Sequence, residues 1–277
     1  MTGVIIKNIS NDYTIESDGK QYTCKPRGIF RHQLITPLVG DHVIFDEQNH
    51  YITKILPRKN ELIRPSIANI DIAVIVTSVK DPNLDTHLLD KFLTIISYNN
   101  ITPIIYLTKL DLLSTKELNK INNYIEYYQK IGYIISTNKD DLLEKIQNKL
   151  VVFTGQSGAG KSTLLNKIDP TLNLYTNEIS YALGRGKHTT RHTEIYKTKG
   201  ALIADTPGFS KIDFYNMTPI DIRDNMKEMF DNLPKCKYID CLHNKEDGCY
   251  VKKLVEDKLI LSSRYQNYLD FITKKRW

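Results

Sequence analysis

The chain has few cysteines and no long hydrophobic run. Four cysteines in 277 residues are too few for a disulfide scaffold. The longest apolar stretch, IDIAVIVTSV at 70–79, is far shorter than the about 20 apolar residues that span a bilayer. The first residues, MTGVIIKNISNDY, lack the basic start and apolar core of a signal peptide. We therefore expect a cytoplasmic protein that does not use a membrane.

Charge of neither sign dominates the chain. It contains 38 lysines and arginines against 32 acidic residues, a net charge of +6. This small excess favours a polyanionic partner without identifying one. A length of 277 residues suggests two domains if each has about 150 residues.

The stretch GQSGAGKST at 155–163 has the spacing of a phosphate-binding loop. Its glycines allow a tight turn that directs several backbone N–H groups at one centre. Lys161 is expected to reach the outer phosphates, and the Ser162 hydroxyl to bind Mg²⁺. A predicted strand at 149–155 and a predicted helix from 161 place these amides at a helix N-terminus, where anions are favoured.

The first 63 residues are predicted to be all-β. Two hairpins are indicated, one at 13–25 around Asp18-Gly19 and one at 42–56, and no helical period is present. From residue 70 strands and helices alternate, which predicts a parallel sheet with helices on its faces. The predicted strands are 70–79, 101–107, 132–136, 149–155, 193–198 and 200–208, and the predicted helices are 86–98, 115–131 and 140–150. The last 65 or so residues are predicted to be helical.

Two further motifs follow predicted strands, at the edge where open α/β sheets bind ligands. In TKLD at 108–111, the Asp111 carboxylate could accept hydrogen bonds from two neighbouring donors on guanine. Adenine lacks both donors. Lys109 could lay its stem over the base, and backbone N–H groups at 135–137 could bind the guanine oxygen. Taken singly, Asp111 is more often a cap for the helix that begins near Ser114.

The motif DTPG at 205–208 completes the elements of a GTPase. Asp205 is placed to bind Mg²⁺ through water, and the Gly208 amide to meet a γ-phosphate. The elements occur in rotated order, because the guanine-reading motif precedes the phosphate loop, so we predict a circular permutation. The chain after Gly208 is tethered to a segment that rearranges in such switches, and we expect the C-terminal domain to report the nucleotide state.

A cysteine cluster lies near the C-terminus, in CKYIDCLHNKEDGC at 236–249. Three thiolates and one imidazole suit tetrahedral zinc, and a set with four protein ligands predicts a structural role. The ligands are Cys236, Cys241, His243 and Cys249. The alternative is a set of unpaired cysteines on a helical surface; Cys24 stands apart as a strand residue.

These motifs in this order, together with GRGKHTTRHTE at 184–194 and DTPGF at 205–209, resemble the RsgA (YjeQ) family over the whole chain. The family consists of bacterial GTPases that act in late maturation of the small ribosomal subunit. The resemblance implies an OB-fold β-barrel at 1–63, a circularly permuted P-loop GTPase domain at 64–212 and a helical zinc-binding domain at 213–277. It also implies GTP hydrolysis stimulated by the subunit, followed by release from it; a monomer is the default.

The motifs and the resemblance give a set of site residues. The GTP-binding residues are Thr108, Lys109, Leu110, Asp111, Ser136, Thr137, Gly155, Gln156, Ser157, Gly158, Ala159, Gly160, Lys161, Ser162, Thr163, Asp205 and Gly208. Magnesium bound with GTP would meet Ser162, Thr189, Thr190 and Asp205, with the first switch at 184–193.

The sequence departs from the usual GTPase pattern at two positions. Thr108 stands where the guanine motif usually has asparagine; it loses the amide's second polar group and its reach, so somewhat weaker binding is expected. Phe209 follows DTPG where many GTPases have a water-orienting glutamine. His188 could orient the water instead, as proposed in the family; a solvated loop residue or an RNA contact is an equal alternative.

Contact with ribosomal RNA is implied mainly by the resemblance. Candidate residues are the basic side chains Lys25, Arg27, Arg31, His32, Arg58, Lys59 and Arg64 and the aromatic side chains Tyr22 and Phe30. An ordinary solvated face with core aromatics is the more frequent outcome for such a pattern. Two other functions stay open at this point: a P-loop ATPase or kinase, which Asp111 disfavours, and an RNA-binding scaffold that only holds GDP.

Overall fold

A computed structural model describes residues 1–62, 66–172, 193–198, 200–205 and 213–273. The predicted roles of several residues lie outside this part of the chain: Arg64, His188, Thr189, Thr190, Gly208, Phe209 and the side chains of Arg31 and Asp205.

The N-terminal region is a closed five-stranded barrel. Its strands are β1 (Thr2–Ile9), β2 (Asp12–Ser17), β3 (Lys20–Pro26), β4 (His42–Asp46) and β5 (Tyr51–Ile55). They are ordered β1-β2-β3-β5-β4, and β4 pairs back onto β1. Asp18 and Gly19 form the β2–β3 turn with φ angles of 49° and 76°, so the predicted hairpin and the OB-like barrel are confirmed.

One short helix interrupts the barrel, which the sequence did not predict. Helix α1 (Ile29–His32) is a single turn, too short to display a helical period. After it, residues 33–41 return the chain to β4.

The central region is the predicted α/β unit. Its strands are β6 (Glu61–Leu62), β7 (Ile67–Ala68), β8 (Ile72–Ser78), β9 (Thr102–Thr108), β10 (Ile134–Ser136), β11 (Leu150–Gly155), β12 (Glu194–Thr198) and β13 (Ala201–Asp205), and its helices are α2 (Thr86–Tyr98), α3 (Thr115–Lys130), α4 (Lys139–Ile146) and α5 (Lys161–Ile168). The sheet order is β10-β9-β8-β11-β13-β12, parallel except for β12. Strands β8 and β11 are buried along their whole length, as uninterrupted apolar runs predict for central parallel strands.

Helix α4 is shorter than predicted. The prediction continued it to residue 150, whereas it ends at Ile146. Asn148 adopts a left-handed φ of 57° and its N–H donates to the Gly200 carbonyl at 2.7 Å. This turn lets Leu150 enter β11 directly, so the apolar residue that suggested another helical turn belongs to the sheet.

The C-terminal region consists of short helices around the cysteine cluster, as predicted. They are α6 (Pro219–Asp224), α7 (Lys227–Asp231), α8 (Tyr250–Glu256) and α9 (Ser262–Thr273). Helix α6 begins with a capping box between Thr218 and Asp221. Among the described helices of the whole chain, none has the length and apolar character needed to cross a membrane.

Candidate nucleotide site and metal centre

The phosphate loop depends on glycine at two positions. A Cβ on Gly155 would lie 2.0 Å from the Val76 carbonyl oxygen, so only glycine allows β11 to approach β8 at this point. Gly160 caps α5 with a left-handed φ of 89°. Lys161, Ser162 and Thr163 therefore occupy the first turn of α5, where the amides of the loop and the helix N-terminus favour an anion.

The guanine motif and the phosphate loop are in direct contact. The Thr108 hydroxyl donates to the Ala159 carbonyl at 2.7 Å, across 51 residues of sequence. We expected a threonine here to lack the reach of asparagine, yet its hydroxyl reaches the loop. Strands β9 and β11 flank β8, so their carboxyl ends open on the same edge of the sheet.

Lys109 joins the same two elements through its ammonium group. It donates to the Gly158 carbonyl at 3.0 Å and to the Asp81 carbonyl. Its backbone adopts a left-handed φ of 61°, uncommon for a residue with a long side chain and a frequent feature of functional sites. The two carbonyls hold the ammonium group beside the phosphate loop.

Asp111 is available for a ligand and does not cap a helix. It lies in a short 3₁₀ turn, Leu110–Leu112, and its carboxylate is exposed with no partner among the described residues. Ser114 is the N-cap of α3 and forms a capping box with Glu117. The capping alternative for Asp111 is therefore wrong.

The third predicted base contact follows β10. Ser136 is buried and its hydroxyl donates to the Asn138 carbonyl at 3.0 Å, so this side chain is used within its own turn. Asn138 in turn caps α4 by accepting from the Asp140 N–H. The backbone groups at 136–137 and the exposed side chain of Thr137 are left to approach a base.

The four zinc-ligand candidates converge on one point. Their ligand atoms lie within 4.8 Å of one another. The Nδ1 atom of His243 is 3.5 Å from the Cys236 sulfur and 3.4 Å from those of Cys241 and Cys249. The sulfurs of Cys236 and Cys249 are 4.0 Å apart. Tetrahedral zinc, with Zn–S of about 2.3 Å and Zn–N of about 2.0–2.1 Å, would give N–S separations of about 3.6 Å and S–S separations of about 3.8 Å. The set fits zinc.

The surroundings orient the histidine for metal binding. Its Nε2 lies 3.0 Å from the Met229 carbonyl, so Nε2 carries the proton and Nδ1 faces the sulfurs. Burial lowers the pKa of His243, which keeps it neutral, and raises the pKa of the Cys241 thiol to about 12. A bound cation would supply the charge that stabilises thiolates at so buried a position.

Several of the residues suggested as RNA contacts instead bond or pack within the fold. Arg58 is half-buried and donates to Asp41 at 2.7 and 2.8 Å and to Glu61, so its guanidinium already has carboxylate partners in the fold. Phe30 is 6% exposed and belongs to the core. Tyr22 packs on Phe45 with ring centroids 5.1 Å apart. These three therefore form part of the fold, whereas Lys25, Arg27 and His32 are exposed.

Comparison with known proteins gives a consistent result. The RsgA GTPase family matches residues 55–215, and the RsgA N-terminal domain matches residues 2–53. A relative from Enterococcus faecalis, named small ribosomal subunit biogenesis GTPase RsgA, is 46% identical over 98% of this chain and 94% of its own length. Small ribosomal subunit biogenesis GTPase RsgA 2 from Oceanobacillus iheyensis is 48% identical over 98% of this chain and 96% of its length.

Solved structures agree with these relatives. The crystal structure of YloQ, described as a circularly permuted GTPase, has a TM-score of 0.83 at 38% identity, covering 100% of this chain and 96% of that one. The crystal structure of YjeQ from Thermotoga maritima has a TM-score of 0.84 at 31% identity and covers 99% of both chains.

Proposed function

The chain belongs to the RsgA GTPase family, and we propose that it hydrolyses GTP in the maturation of the small ribosomal subunit. The observation that carries this proposal is the contact of the guanine motif with the phosphate loop. Thr108 and Lys109 bind carbonyls of that loop at 2.7 and 3.0 Å, which builds one continuous site from two distant segments. The relatives named for small-subunit biogenesis supply the biological setting.

The geometry supports a division of roles within the site. Asp111 would accept from the two guanine donors, and its exposed carboxylate supports that role. The loop at 155–163 would bind the phosphates through its amides and Lys161. We propose Ser162, Asp205 and either Thr189 or Thr190 as the residues that would hold the magnesium ion bound with GTP.

Hydrolysis would depend on the ribosomal subunit. Because Phe209 replaces the usual water-orienting glutamine, we propose His188 for that role, with the subunit completing the site. Release from the subunit would follow hydrolysis.

Other assignments rest on the family and on the cysteine geometry. We propose one structural zinc held by Cys236, Cys241, His243 and Cys249, which fit the metal. The partners would be the small subunit with its RNA and GTP or GDP, and the site of action the cytoplasm. A monomer and domain boundaries at 63/64 and 212/213 stay predictions.

The direct test is nucleotide turnover by the purified protein with and without purified small subunits. We expect subunits to raise GTP turnover by at least about tenfold, since groups supplied in trans commonly accelerate GTPases far more than this, and to leave ATP turnover at background. The matched variant His188→Ala should bind GTP normally and lose the stimulation. GTP binding without stimulated turnover would contradict the enzyme proposal, and unchanged stimulation in the variant would remove His188 from the mechanism.

A further inference from the structure

The loop that follows β8 takes part in the nucleotide site, although no sequence motif marks it. It spans residues 78–82, and the Ser78 hydroxyl donates to the Lys80 carbonyl at 2.6 Å, which shapes the turn. Pro82 lies against the phosphate loop, because a Cβ on Gly158 would be 3.6 Å from its Cδ. The loop therefore lies beside the phosphate loop.

The same loop holds the lysine of the guanine motif. The Lys109 ammonium lies between two carbonyls, that of Asp81 in the loop and that of Gly158 in the phosphate loop. A shift of residues 78–82 would remove one of these two acceptors. The position of the Lys109 stem thus depends on where this loop sits.

A second contact ties the loop to the helix after the guanine motif. The Lys80 ammonium donates to both carboxylate oxygens of Glu117 at 3.1 and 3.2 Å. Glu117 also accepts from the N–H and hydroxyl of Ser114 at 2.8 and 2.7 Å, so it fixes the first turn of α3. Ser114 is three residues after Asp111, with only the short 3₁₀ turn and Leu113 between them.

We propose that Lys80 is a positioning residue for guanine recognition. By joining the 78–82 loop to Glu117, it holds Lys109 from one side and the turn that carries Asp111 from the other. Lys80 itself need not touch the nucleotide. This inference rests on the proposed function, since it concerns the same guanine site.

The Glu117 carboxylate is ionised over the whole working range of pH. The pKa of Glu117 is lowered to about 2, first by the Ser114 hydroxyl and N–H and then by Lys80. A depressed carboxyl pKa means that the contribution is present above the ordinary carboxyl pKa and is lost only as pH falls toward about 2. The effect of Lys80 should therefore be constant between pH 5 and pH 8.

The test compares the binding of GDP and IDP to the full-length protein and its Lys80→Met variant. Inosine lacks the exocyclic amine of guanine, so the ratio of the two affinities reports how well Asp111 is aligned. We expect GDP affinity to fall about 1.5- to 5-fold, as for a partly exposed ion pair, and IDP affinity to fall less. The loss should be smaller in 1 M salt, where exposed charges are screened. Lys80→Arg should restore the wild-type affinities.

Lys116→Met is the matched control. It also removes one lysine charge, but from the first turn of α3, and Lys116 has no ion pair among the described residues. Unchanged GDP affinity and an unchanged GDP-to-IDP ratio in Lys80→Met would overturn the inference and leave the proposed function intact. An equal loss in Lys116→Met, or an equal loss for GDP and IDP, would also overturn it. Wild-type protein that binds GDP no better than ADP would instead refute the proposed function.

Discussion

The GTPase domain is joined to its two neighbours in different ways. Toward the C-terminal domain, the contact centres on Arg264 of α9, which is fully buried. Its guanidinium donates to Asp90 of α2 at 2.5 Å and to Glu228 of α7 at 2.7 and 3.2 Å. Tyr128 and Asn267 also donate to Asp90, at 2.5 and 2.7 Å. Here buried charges from three separate helices satisfy one another.

The barrel is attached mainly through backbone hydrogen bonds and strand pairing. Strand β1 pairs with β12 at Lys7 and Glu194, whose side chains form a partly exposed ion pair at 2.9 Å. At the chain exit, Asn69 donates to the Gly40 carbonyl at 2.9 Å, which connects the barrel to the start of the GTPase domain. Arg58 holds the buried Asp41 carboxylate at the same place.

The difference shows which junction tolerates the loss of one side chain. Backbone pairing survives most substitutions, whereas removal of Arg264 would leave two carboxylates in a dry interface. Burial raises the pKa of Asp90 above its ordinary value. Burial also acts to raise the pKa of Glu228, but Arg264 holds the pKa of Glu228 below the ordinary value. Both carboxyl groups accept from Arg264, and Asp90 accepts in addition from Tyr128 and Asn267, so the arginine is the cation that the two share.

The C-terminal junction also bears on how the protein switches. We expected this domain to report the nucleotide state, and that stays a prediction. The structure adds a condition, because α9 is bonded to α2 through Arg264 and Asp90, and α7 is bonded to α3 through Glu228 and Tyr127 at 2.9 Å. Any displacement of the domain must carry these two helices along or break the buried contacts.

Removal of zinc should have the largest effect, confined to the C-terminal junction. The metal ligand His243 is bonded to Met229, next to Glu228, and Tyr265 and Tyr268 of α9 donate to the carbonyls of His243 and Leu242 at 2.6 and 2.7 Å. Structural zinc contributes about 10–16 kcal/mol in small zinc-dependent peptides. Chelation or Cys249→Ser should therefore abolish amide-exchange protection in α6–α9, while residues 2–55 keep theirs.

Metal analysis supplies the control for this experiment. The wild type should hold one zinc per chain, and Cys24→Ala, which alters the cysteine in the barrel, should leave that content unchanged. Full protection of α6–α9 after complete removal of the metal would contradict a structural role for zinc.

Arg264, which bonds across the C-terminal junction, can be compared with Arg58, which bonds to Asp41 within the barrel domain near its chain exit. Arg264→Met should lower the free energy of unfolding by about 3–5 kcal/mol, because it leaves buried carboxylates without their cation. Arg58→Met should cost less, about 1–3 kcal/mol, since Asp41 still accepts from the Leu38 N–H at 2.7 Å. Urea unfolding followed by circular dichroism measures both. Equal losses would show that the two arginines do not differ as their burial suggests.

The smallest effect is expected at the strand contact between the barrel and the GTPase domain. Lys7→Ala removes an ion pair whose side chains are 33% and 28% exposed. Such pairs contribute below about 1 kcal/mol, and salt weakens them. The same unfolding assay should show a loss of this size that disappears in 1 M salt. A larger loss, or one insensitive to salt, would mean that the side chains and not the strand pairing hold the barrel here.

Local sequence signals predicted most of the elements. Helix α2 spans the predicted residues 86–98, and α3 spans 115–130 of a predicted 115–131. The motifs at 108–111 and 155–163 were also found where strand ends meet. Each of these features depends on residues that are close in sequence, such as an apolar period, a capping serine or a glycine turn.

The roles of other residues could not be recognised from the local sequence. The sequence made Arg58 and Phe30 candidates for RNA contact, whereas Phe30 is buried and Arg58 is bound to Asp41. It assigned no role to Lys80 or Arg264, each an isolated charge in an otherwise ordinary stretch. Their partners, Glu117 and Asp90, are 37 and 174 residues away, so no pattern along the chain could pair them.

The amino-acid sequence was sufficient for the order of the domains, the rotated arrangement of GTPase motifs and the four residues that form the metal-binding group. These depend on residue type and short spacing, which the chemistry of phosphate, guanine and zinc restricts tightly. Folding alone decided which charged side chains face a ligand and which hold the protein together. A lone arginine or lysine has the same local appearance in either role, and only packing brings it to a carboxylate far along the chain, where the absence of water makes the pairing strong.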